Sequence, residues 1–354
     1  MAVYKFEDIA FNSTAKKKPV DEDKYTYVGL EHLDPDSIYV TRFGADVAPK
    51  GEKLLMKKGD VLFGKRRAYQ KKVAIAPFDG IFSAHGMVLR PKEDVIDKDF
   101  FPLFIKSDYF LDEAIKISVG SLSPTINWRD LKELKFSLPS LEEQKKLARV
   151  LWSIYDTKEE YKKLIKATDD LVKSQFIEMF GDPLSAGLYG TKTIGEIGEV
   201  LTGTTPSMKK EEYYDSDDVL FIKPGDIPEN TISCIDKAEN YISDKARKAA
   251  RVFPENSVLV TCIGTIGKIG IAKFESSCNQ QINVIIPSSN INSLYLAYNL
   301  LIIRSTIQDA ANAPVVPILN KTDFSKLEVM VPPYKKQCEF ASLAEQSDKS
   351  KFYG

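Results

Sequence analysis

The sequence Val331-Pro332-Pro333-Tyr334 resembles the (Asp/Asn)-Pro-Pro-Tyr motif of adenine methyltransferases. The first residue of that motif accepts a hydrogen bond from the target amine through a carboxylate or amide oxygen. Val331 has no such oxygen, and no Gly-rich cofactor motif after a predicted strand accompanies it. The sequence therefore predicts the start of a helix here, not a methyltransferase site.

A second motif resembles a phosphate-binding loop. It is Gly264-Thr265-Ile266-Gly267-Lys268, which ends in the Gly-Lys pair that such loops use. Cys262 stands where the first glycine is required, and Ile269 replaces the Ser or Thr that would bind magnesium. The motif is therefore interpreted as a strand-connecting loop.

A third pattern, Asp130-x-x-Glu133-x-Lys135, contains the residue types of a nuclease site. A second copy of this segment occurs later in the chain, and it has Lys326 and Glu328 at the last two positions, so the set is not kept. His85 has no nucleophile elbow beside it and is interpreted as a polar residue rather than a general base. These patterns favour binding over catalysis.

The clearest binding chemistry lies in a basic stretch, residues 42–72, with ten Lys and Arg against three acidic residues. Within it, GKRRAYQKK lies between two predicted strands and is expected to form a loop at a sheet end. An Arg side chain can bind guanine with two hydrogen bonds, a Gln side chain can bind adenine, and a Lys side chain can bind phosphate. A solvated charged loop is the alternative. The candidate residues are Arg42, Lys65, Arg66, Arg67, Tyr69, Gln70, Lys71 and Lys72.

The second half of the chain is less basic, since residues 205–251 carry eight basic and ten acidic side chains. An amide-rich stretch, residues 279–283, aligns with residues 83–87 and suits base edges. Polar residues on an exposed strand face are the alternative. The candidates from this half, with the aligned histidine of the first half, are Lys223, Thr265, Lys268, Gln280, Gln281, Asn283 and His85.

An internal repeat relates the two halves. Residues 121–148 align without gaps with residues 314–341, and seven of the 28 positions are identical. Three further blocks upstream match in the same order, the first being Gly59–Phe63 with Asn256–Val260. The sequence therefore predicts two copies of one β-rich module.

Each module is predicted to contain short strands, then a helix, a helical turn and a last strand. The helices are expected at about Lys98–Ser118 and Leu294–Ala313, and Asp130 or Asp323 could cap the turn. The predicted strands are Tyr25–Leu30, Val61–Phe63, Val73–Ala76, Met87–Leu89, Val219–Ile222, Ser257–Cys262, Ile269–Ala272 and Val284–Ile286.

A long helix is predicted for Leu141–Phe180, which contains no Pro or Gly and is followed by Gly181-Asp182-Pro183. Forty residues of helix span roughly 60 Å. A narrow apolar stripe suggests a coiled-coil seam that requires a partner helix. The stripe consists of Leu147, Leu151, Ile154, Tyr161, Ile165, Val172 and Met179.

The composition sets further limits. No run of about 18 apolar residues occurs, so no membrane span is expected. The four cysteines share no C-x-x-C spacing, which disfavours a structural zinc site and favours a cytoplasmic location. The net charge is −1, so any nucleic-acid binding must come from local patches.

With its repeat, the chain resembles the specificity subunit of type I restriction-modification systems. The residues that carry the resemblance are Leu138-Pro139-Ser140-Leu141-Glu142-Glu143-Gln144 with Leu147-Ala148, the second copy Val331–Gln337, and Gly59-Asp60-Val61-Leu62-Phe63. The resemblance implies an α+β fold in which two repeated β-rich target-recognition domains are separated by long α-helices forming an antiparallel coiled-coil spacer. The implied domains are residues 1–140, the spacer helix 141–182, residues 183–333, and a shortened C-terminal helix 334–354.

The resemblance also implies a function. Each domain would recognise one half of a bipartite site on double-stranded DNA, and the subunit would have no catalytic site or cofactor of its own. S-adenosylmethionine, ATP and magnesium are expected only on partners, namely two methyltransferase (M) subunits and the endonuclease/translocase (R) subunits.

The chain departs from the family pattern at the second helix, Tyr334–Tyr353, which is about half the length of the first. A truncation, a gene rearrangement or completion by another chain would explain it. Either a homodimer through the uncovered helix stripe or dependence on the methyltransferase subunit for solubility is expected. Two alternative functions stay open: a stand-alone DNA methyltransferase or nuclease, and a protein-binding coiled-coil scaffold.

Overall fold

The computed structural model describes residues 1–311 and 316–352, apart from the side chains of Ala186 and residues 348–352. Two compact units, Met1–Glu159 and Glu160–Gly354, divide inside a single helix. The predicted domain boundaries stay predictions, because this division separates two halves of that helix and not the modules from it. No helix among the described residues is long and apolar enough to cross a membrane.

The first unit contains ten strands, four short helices and the first half of a long helix. The strands are β1 (Ala2–Lys5), β2 (Ala10–Ser13), β3 (Lys16–Lys17), β4 (Tyr27–Val28), β5 (Lys53–Met56), β6 (Val61–Phe63), β7 (Val73–Ile75), β8 (Gly80–Phe82), β9 (Met87–Pro91) and β10 (Lys135–Leu138). The helices are α1 (Phe6–Ile9), α2 (Phe101–Lys106), α3 (Asp108–Lys116), α4 (Trp128–Leu131) and the long α5 (Leu141–Phe180).

The second unit contains the rest of α5, twelve strands and six further helices among its described residues. The strands are β11 (Gly181–Asp182), β12 (Ala186–Gly187), β13 (Thr191–Thr193), β14 (Gly198–Thr202), β15 (Val219–Ile222), β16 (Ser233–Ile235), β17 (Tyr241–Ile242), β18 (Val258–Thr261), β19 (Ile269–Ala272), β20 (Ser276–Cys278), β21 (Ile282–Pro287) and β22 (Glu328–Met330). The helices are α6 (Ile194–Ile197), α7 (Arg247–Ala250), α8 (Ser293–Ile302), α9 (Arg304–Asp309), α10 (Lys321–Ser325) and α11 (Tyr334–Phe352).

The sheets of the two units have matching topology. The order β2-β9-β6-β7 in the first unit corresponds to β14-β21-β18-β19 in the second, where β16 adds a fifth strand. The pairs β1-β10 and β13-β22 also correspond, as do the parallel pairs β4-β8 and β15-β20. Two copies of one topology confirm the predicted α+β fold with repeated modules.

The central strands are buried on both faces, which explains their uninterrupted apolar sequence. Val61 and Phe63 pack into one core cluster, whereas Leu62 packs into another on the opposite face. The corresponding strand alternates in the same way, with Val258 on one side and Leu259 on the other. Strand side chains alternate between faces, so a strand covered on both sides loses the usual polar alternation.

Several predicted elements differ from the observed ones. The single helix expected at Lys98–Ser118 is two helices, because Ser107 has extended backbone angles and its hydroxyl accepts a hydrogen bond from the Phe110 N–H. The helix expected at Leu294–Ala313 likewise divides at Ile303, and its predicted last residues lie outside the described range. Of Tyr25–Leu30, only Tyr27–Val28 is a strand, since a 3-10 helix ends at Thr26.

The cap of the helical turn in the second module is also not the predicted one. The Asn320 side chain accepts from the Asp323 N–H at 2.9 Å, so Asn320 is the N-cap and Asp323 lies inside the first turn. The corresponding Asn127 makes no side-chain cap hydrogen bond. The expectation that Asp130 or Asp323 caps the turn is therefore wrong.

Helix α5 covers the predicted residues and ends at Gly181, whose φ of 77° is in the left-handed region that glycine tolerates. Its buried face in the first unit is not the predicted stripe. Ala148, Trp152 and Tyr155 pack there with Ile38 and other residues of the module. The predicted stripe residues from Leu147 to Ile165 are each more than a third exposed.

The distal end of α5 is covered by α11 within the second unit. Phe176 and Phe180 are fully buried, and their rings lie 5.2 and 5.8 Å from the ring of Phe340. Farther back along α5, Ile165 lines the same cavity as Glu345 of α11. The two helices therefore run in opposite directions where they meet.

A buried glutamine attaches each module to the helix that follows it. The Gln144 side chain accepts from the Asp97 N–H and donates to the carbonyls of Val95 and Pro139. The repeat-related Gln337 accepts from the Asn292 N–H and donates to the carbonyls of Asn290 and Pro332. Both side chains are at most 1% exposed. We call this arrangement the glutamine joint.

Replacing Gln144 with leucine should lower the free energy of unfolding of the first unit by about 3 kcal/mol, because three main-chain polar groups lose their partner at nearly constant side-chain volume. Trp128 and Trp152 are the only tryptophans of the chain and both lie in this unit, so denaturation followed by tryptophan fluorescence reports on it. Lys146→Ala, an exposed change on the same helix, should leave the midpoint in place. Equal midpoints for Gln144→Leu and Lys146→Ala would contradict the role of the joint.

Candidate nucleic-acid interface

The predicted basic loop connects β6 to β7. The Gly64 N–H donates to the Lys72 carbonyl at 2.9 Å and closes the loop at its base. A 3-10 turn, Ala68–Gln70, lies inside it and is flanked by two residues in the left-handed region, Arg67 (φ 54°) and Lys71 (φ 50°). The Arg66 and Arg67 side chains are both exposed on this loop.

Two further segments meet this loop through main-chain hydrogen bonds. The Arg66 N–H donates to the His85 carbonyl at 3.3 Å, and the Arg67 N–H donates to the Pro124 carbonyl at 2.7 Å. We call the combined surface, Lys65–Gln70, Ser83–Gly86 and Val119–Thr125, the first loop surface. The predicted basic loop and the predicted His85 therefore adjoin in the structure, whereas residues 119–125 were not among the predicted residues.

The missed segment contributes Leu122, which is 92% exposed at a loop closed by the Val119–Thr125 bridge. Ser123 of the same segment accepts from the Arg67 Nε at 3.5 Å. The repeat contained a signal for it, because residues 121–125 align with 314–318 immediately before the helical turn.

The predicted cations of this module are not equivalent. Lys71 forms ion pairs with Asp108 (2.6 Å) and Asp112 (3.0 Å), which raise its pKa. Lys72 donates to the Leu30 carbonyl at 2.7 Å, and Arg42 donates to the Glu31 carbonyl at 3.3 Å. These three side chains therefore already bind other groups of the protein.

The remaining predicted residues of the first module lie on the first loop surface. Burial, followed by the charge of Lys16, lowers the pKa of Lys65, which is half-buried. Tyr69 is exposed and Gln70 is partly exposed. Burial, followed by the charges of Arg66, Lys65 and Lys53, lowers the pKa of His85, so its ring is neutral at neutral pH.

The second module has the same main-chain frame, that is, the same hydrogen bonds and left-handed positions around its loop, with different side chains. The Gly264 N–H donates to the Pro317 carbonyl as Arg67 does to Pro124, and the Thr261 N–H donates to the Lys268 carbonyl as Gly64 does to Lys72. Gly264 (φ 76°) and Gly267 (φ 81°) take the left-handed positions of Arg67 and Lys71. The second loop surface, Ile263–Gly267, Asn279–Gln281 and Val316–Ile318, therefore corresponds to the first.

The predicted residues of the second module divide by exposure. Thr265 and Gln280 are exposed on the second loop surface and Gln281 is partly exposed. Asn283 is 1% exposed, and its amide binds the Leu319 carbonyl and the Thr202 hydroxyl, so it is held inside the module. Lys223 lies outside the second loop surface, with its ammonium 5.8 Å from the centre of the Phe221 ring.

Lys72 and Lys268 occupy matched structural positions. The Lys268 ammonium donates to the Pro224 carbonyl at 3.0 Å, on a 3-10 turn that corresponds to the turn bonded by Lys72. Each lysine thus ties the base of its loop to a neighbouring turn. An ammonium used in this way is a structural donor rather than a phosphate ligand.

Changing Lys72 to methionine should therefore lower the free energy of unfolding by about 1–2 kcal/mol. The salt dependence of DNA binding should stay unchanged, because no phosphate contact is lost. Arg67→Ala is the matched comparison and should lower the slope of log K against log salt by about 0.9. Denaturation measures the change in stability, and salt titration of duplex binding measures the slope for each variant. A lower slope for Lys72→Met would show that its ammonium contacts phosphate.

Two repeated modules of the α+β fold thus carry matched exposed loops, one strongly basic and one rich in amides. A family model described as the type I restriction modification DNA specificity domain matches residues 3–168 and 188–351. The chain therefore belongs to that family.

Individual relatives agree with this assignment. The chain is similar to the MjaIX specificity subunit of Methanocaldococcus jannaschii, with 30% identity over 45% of this chain and 38% of the relative. It is also similar to the HindI specificity subunit of Haemophilus influenzae, with 32% identity over 40% of this chain and 31% of the relative. These matches span less than half the length of either relative. The putative MjaX specificity subunit of M. jannaschii matches at 22% identity over 96% of this chain and 84% of its own length.

Solved structures show the same fold. The S subunit of a type I restriction-modification system from M. genitalium aligns over 99% of this chain and 90% of its own, with a TM-score of 0.57 and 14% identity. A chain from a structure of complex assembly in the type I R-M system aligns over 99% and 91%, with a TM-score of 0.50 and 17% identity.

Proposed function

We propose that this chain is the DNA-recognition subunit of a type I restriction-modification complex. Each module recognises one half of a bipartite site on double-stranded DNA, through the first and second loop surfaces. The observation that carries this proposal is the matched frame of the two surfaces, since one geometry with different side chains is suited to two different half-sites.

In this proposal the chain directs chemistry but does not perform it. Two methyltransferase subunits and the endonuclease/translocase subunits are its partners, and they bind the S-adenosylmethionine, ATP and magnesium. The complex acts on cytoplasmic DNA. The three catalytic resemblances in the sequence support a binding role: Val331–Tyr334 and Gly264–Lys268 each lack a residue that the chemistry requires, and the Asp130–Lys135 set is not kept in the second copy.

Mapping methylated adenines in a host that carries this chain with its methyltransferase partner tests the proposal. The expected result is a split, asymmetric motif with N6-methyladenine on both strands. Calorimetry of the isolated chain with S-adenosylmethionine is the second measurement, and no binding is expected. Tight binding of S-adenosylmethionine would instead favour a stand-alone methyltransferase, and a continuous motif would contradict recognition by two modules.

We also propose that the exposed stripe of α5 pairs with a helix of another chain. Leu147, Leu151 and Ile154 are 44%, 36% and 57% exposed on one face, and apolar rows of this kind are typical of helix-helix contacts. A homodimer through this stripe is expected for the isolated chain. Light scattering should show it, and Leu151→Glu with Ile154→Glu should give a monomer. A wild-type chain that is monomeric and stable would contradict the homodimer.

A further inference from the structure

We propose that Arg66 of the first module recognises a guanine in its half-site, and that His85 holds the Arg66 guanidinium in the orientation for that contact. This inference rests on the proposed DNA-recognition function. It assigns one side chain of the first loop surface to one base, and His85 to a positioning role.

Arg66 is one of the cations that the structure leaves available on the first loop surface. Lys71 and Lys72 are committed to carboxylates and to a carbonyl, and Arg67 contacts the Ser123 hydroxyl. Among the described residues, no carboxylate lies within ion-pair distance of Arg66, and its side chain is exposed. Its one described side-chain contact is uncharged: the Arg66 Nη1 lies 3.5 Å from the His85 Nε2.

The main chain that carries Arg66 is fixed on both sides. Arg66 donates its N–H to the His85 carbonyl and forms an isolated antiparallel bridge with Thr125. The carbonyl of the preceding Lys65 accepts from the Ile126 N–H at 2.9 Å, and the following Arg67 is bonded to Pro124. The main chain at Arg66 therefore loses little freedom on binding, which favours a specific contact over a diffuse one.

The chemistry of the pair suits guanine. A guanidinium is planar and donates two parallel hydrogen bonds to the O6 and N7 atoms of guanine in the major groove. A neutral His85 ring with its proton on Nδ1 can accept a hydrogen bond at Nε2, and the Arg66 Nη1 lies 3.5 Å from that atom. One N–H group of the Arg66 guanidinium is thus held by His85, while its other N–H groups remain available for the base.

The second module lacks this pair at the corresponding positions. Ile263 bridges to Ile318 as Arg66 bridges to Thr125, and Gln281 corresponds to His85. The second loop surface thus presents no guanidinium at that place in its frame. The guanine contact is therefore expected in the half-site of the first module.

The test is the methylated sequence produced by the complex with its methyltransferase partner. Arg66→Ala should lose discrimination at one guanine of one half-site by about 10- to 100-fold and leave the other half-site unchanged. Arg66→Lys should not restore it, because an ammonium is a point donor. Arg42→Ala, which removes a cation already bound to the Glu31 carbonyl, is the matched control and should leave every base preference in place.

His85 has its own test. His85→Ala should reduce discrimination at the same guanine, and His85→Gln should recover it, because an amide oxygen can accept from the guanidinium. A structural role for His85 would instead lower the yield of the complex without changing preference at a single base. Unchanged preference at every half-site base in Arg66→Ala would overturn the guanine assignment while the bipartite motif, and with it the proposed function, stands. Equal preference in His85→Ala and the wild type would overturn the positioning role.

Discussion

Replacing Lys65, Arg66 and Arg67 with alanine should weaken binding of the complex to its duplex by roughly 100-fold or more, since a bidentate base contact is worth about 1–3 kcal/mol and lost phosphate contacts weaken binding further. The three cations lie side by side on the first loop surface, where main-chain hydrogen bonds to His85 and Pro124 hold them. The slope of log K against log salt should fall by about 2, since Lys65 and Arg67 are the two candidates for phosphate contacts and each such contact contributes about 0.9.

The control for this variant removes three cations from the opposite end of the same sheet. Lys57 and Lys58 precede β6 and Lys92 follows β9, whereas the first loop surface follows β6 and precedes β9. The control variant changes Lys57, Lys58 and Lys92 together to alanine. It alters the net charge by the same amount as the loop variant and should leave the salt slope close to that of the wild type. Fluorescence anisotropy at several salt concentrations measures both. If the loop variant still directs methylation of the same sequence with the same slope, the first loop surface does not bind DNA.

Deleting one heptad of α5, Glu159–Ile165, should shorten the spacer of the recognised sequence by about three base pairs and leave both half-sites unchanged. Seven residues of helix span roughly 10 Å, and one base pair rises by about 3.4 Å. Seven residues also return the helix to nearly the same face, so the residues after the deletion keep their orientation. The methylated motif of the host gives the result directly.

A variant of unchanged length separates helix length from sequence. Replacing the same seven residues with an Ala-, Glu- and Lys-rich heptad keeps the helix and should keep the spacer. If the deletion leaves the spacer unchanged, α5 does not determine the distance between the half-sites. If the replacement changes the spacer, side-chain contacts of this heptad determine it instead of length.

The sequence predicted those elements that local chemistry determines. Helix α5 has its predicted bounds because forty residues without Gly or Pro end at a glycine. The strands β6, β15 and β19 have theirs because continuous apolar runs are bounded by turn residues. Both signals are independent of the rest of the chain.

Other features depend on contacts between distant residues and left no local pattern. In the first unit the buried face of α5 follows Gln144, Ala148 and Trp152, and not the more apolar row beginning at Leu147, because the module presents main-chain groups and a small apolar cluster to it. Lys72 resembles its neighbours Arg66 and Arg67 in sequence, yet a carbonyl 42 residues away engages it.

Asn283 illustrates a similar limit of sequence reasoning. It follows exposed glutamines in an amide-rich stretch, but β21 turns its side chain into the module, where it satisfies the Leu319 carbonyl. Burial of a polar residue requires a partner for its amide, and that partner comes from another part of the chain. The loops that carry the candidate residues were therefore predictable from the sequence, whereas the contacts of the individual side chains required the structure.

The glutamine joint has an evolutionary consequence. Gln144 and Gln337 each bind three main-chain groups and no side chain, so their bonds are the same whatever residues stand at those places in the module. Substitutions can accumulate throughout a module, or one module can be exchanged for another by recombination, while its attachment to the helix is preserved. A protein built in this way can acquire new DNA targets without having to evolve a new connection each time.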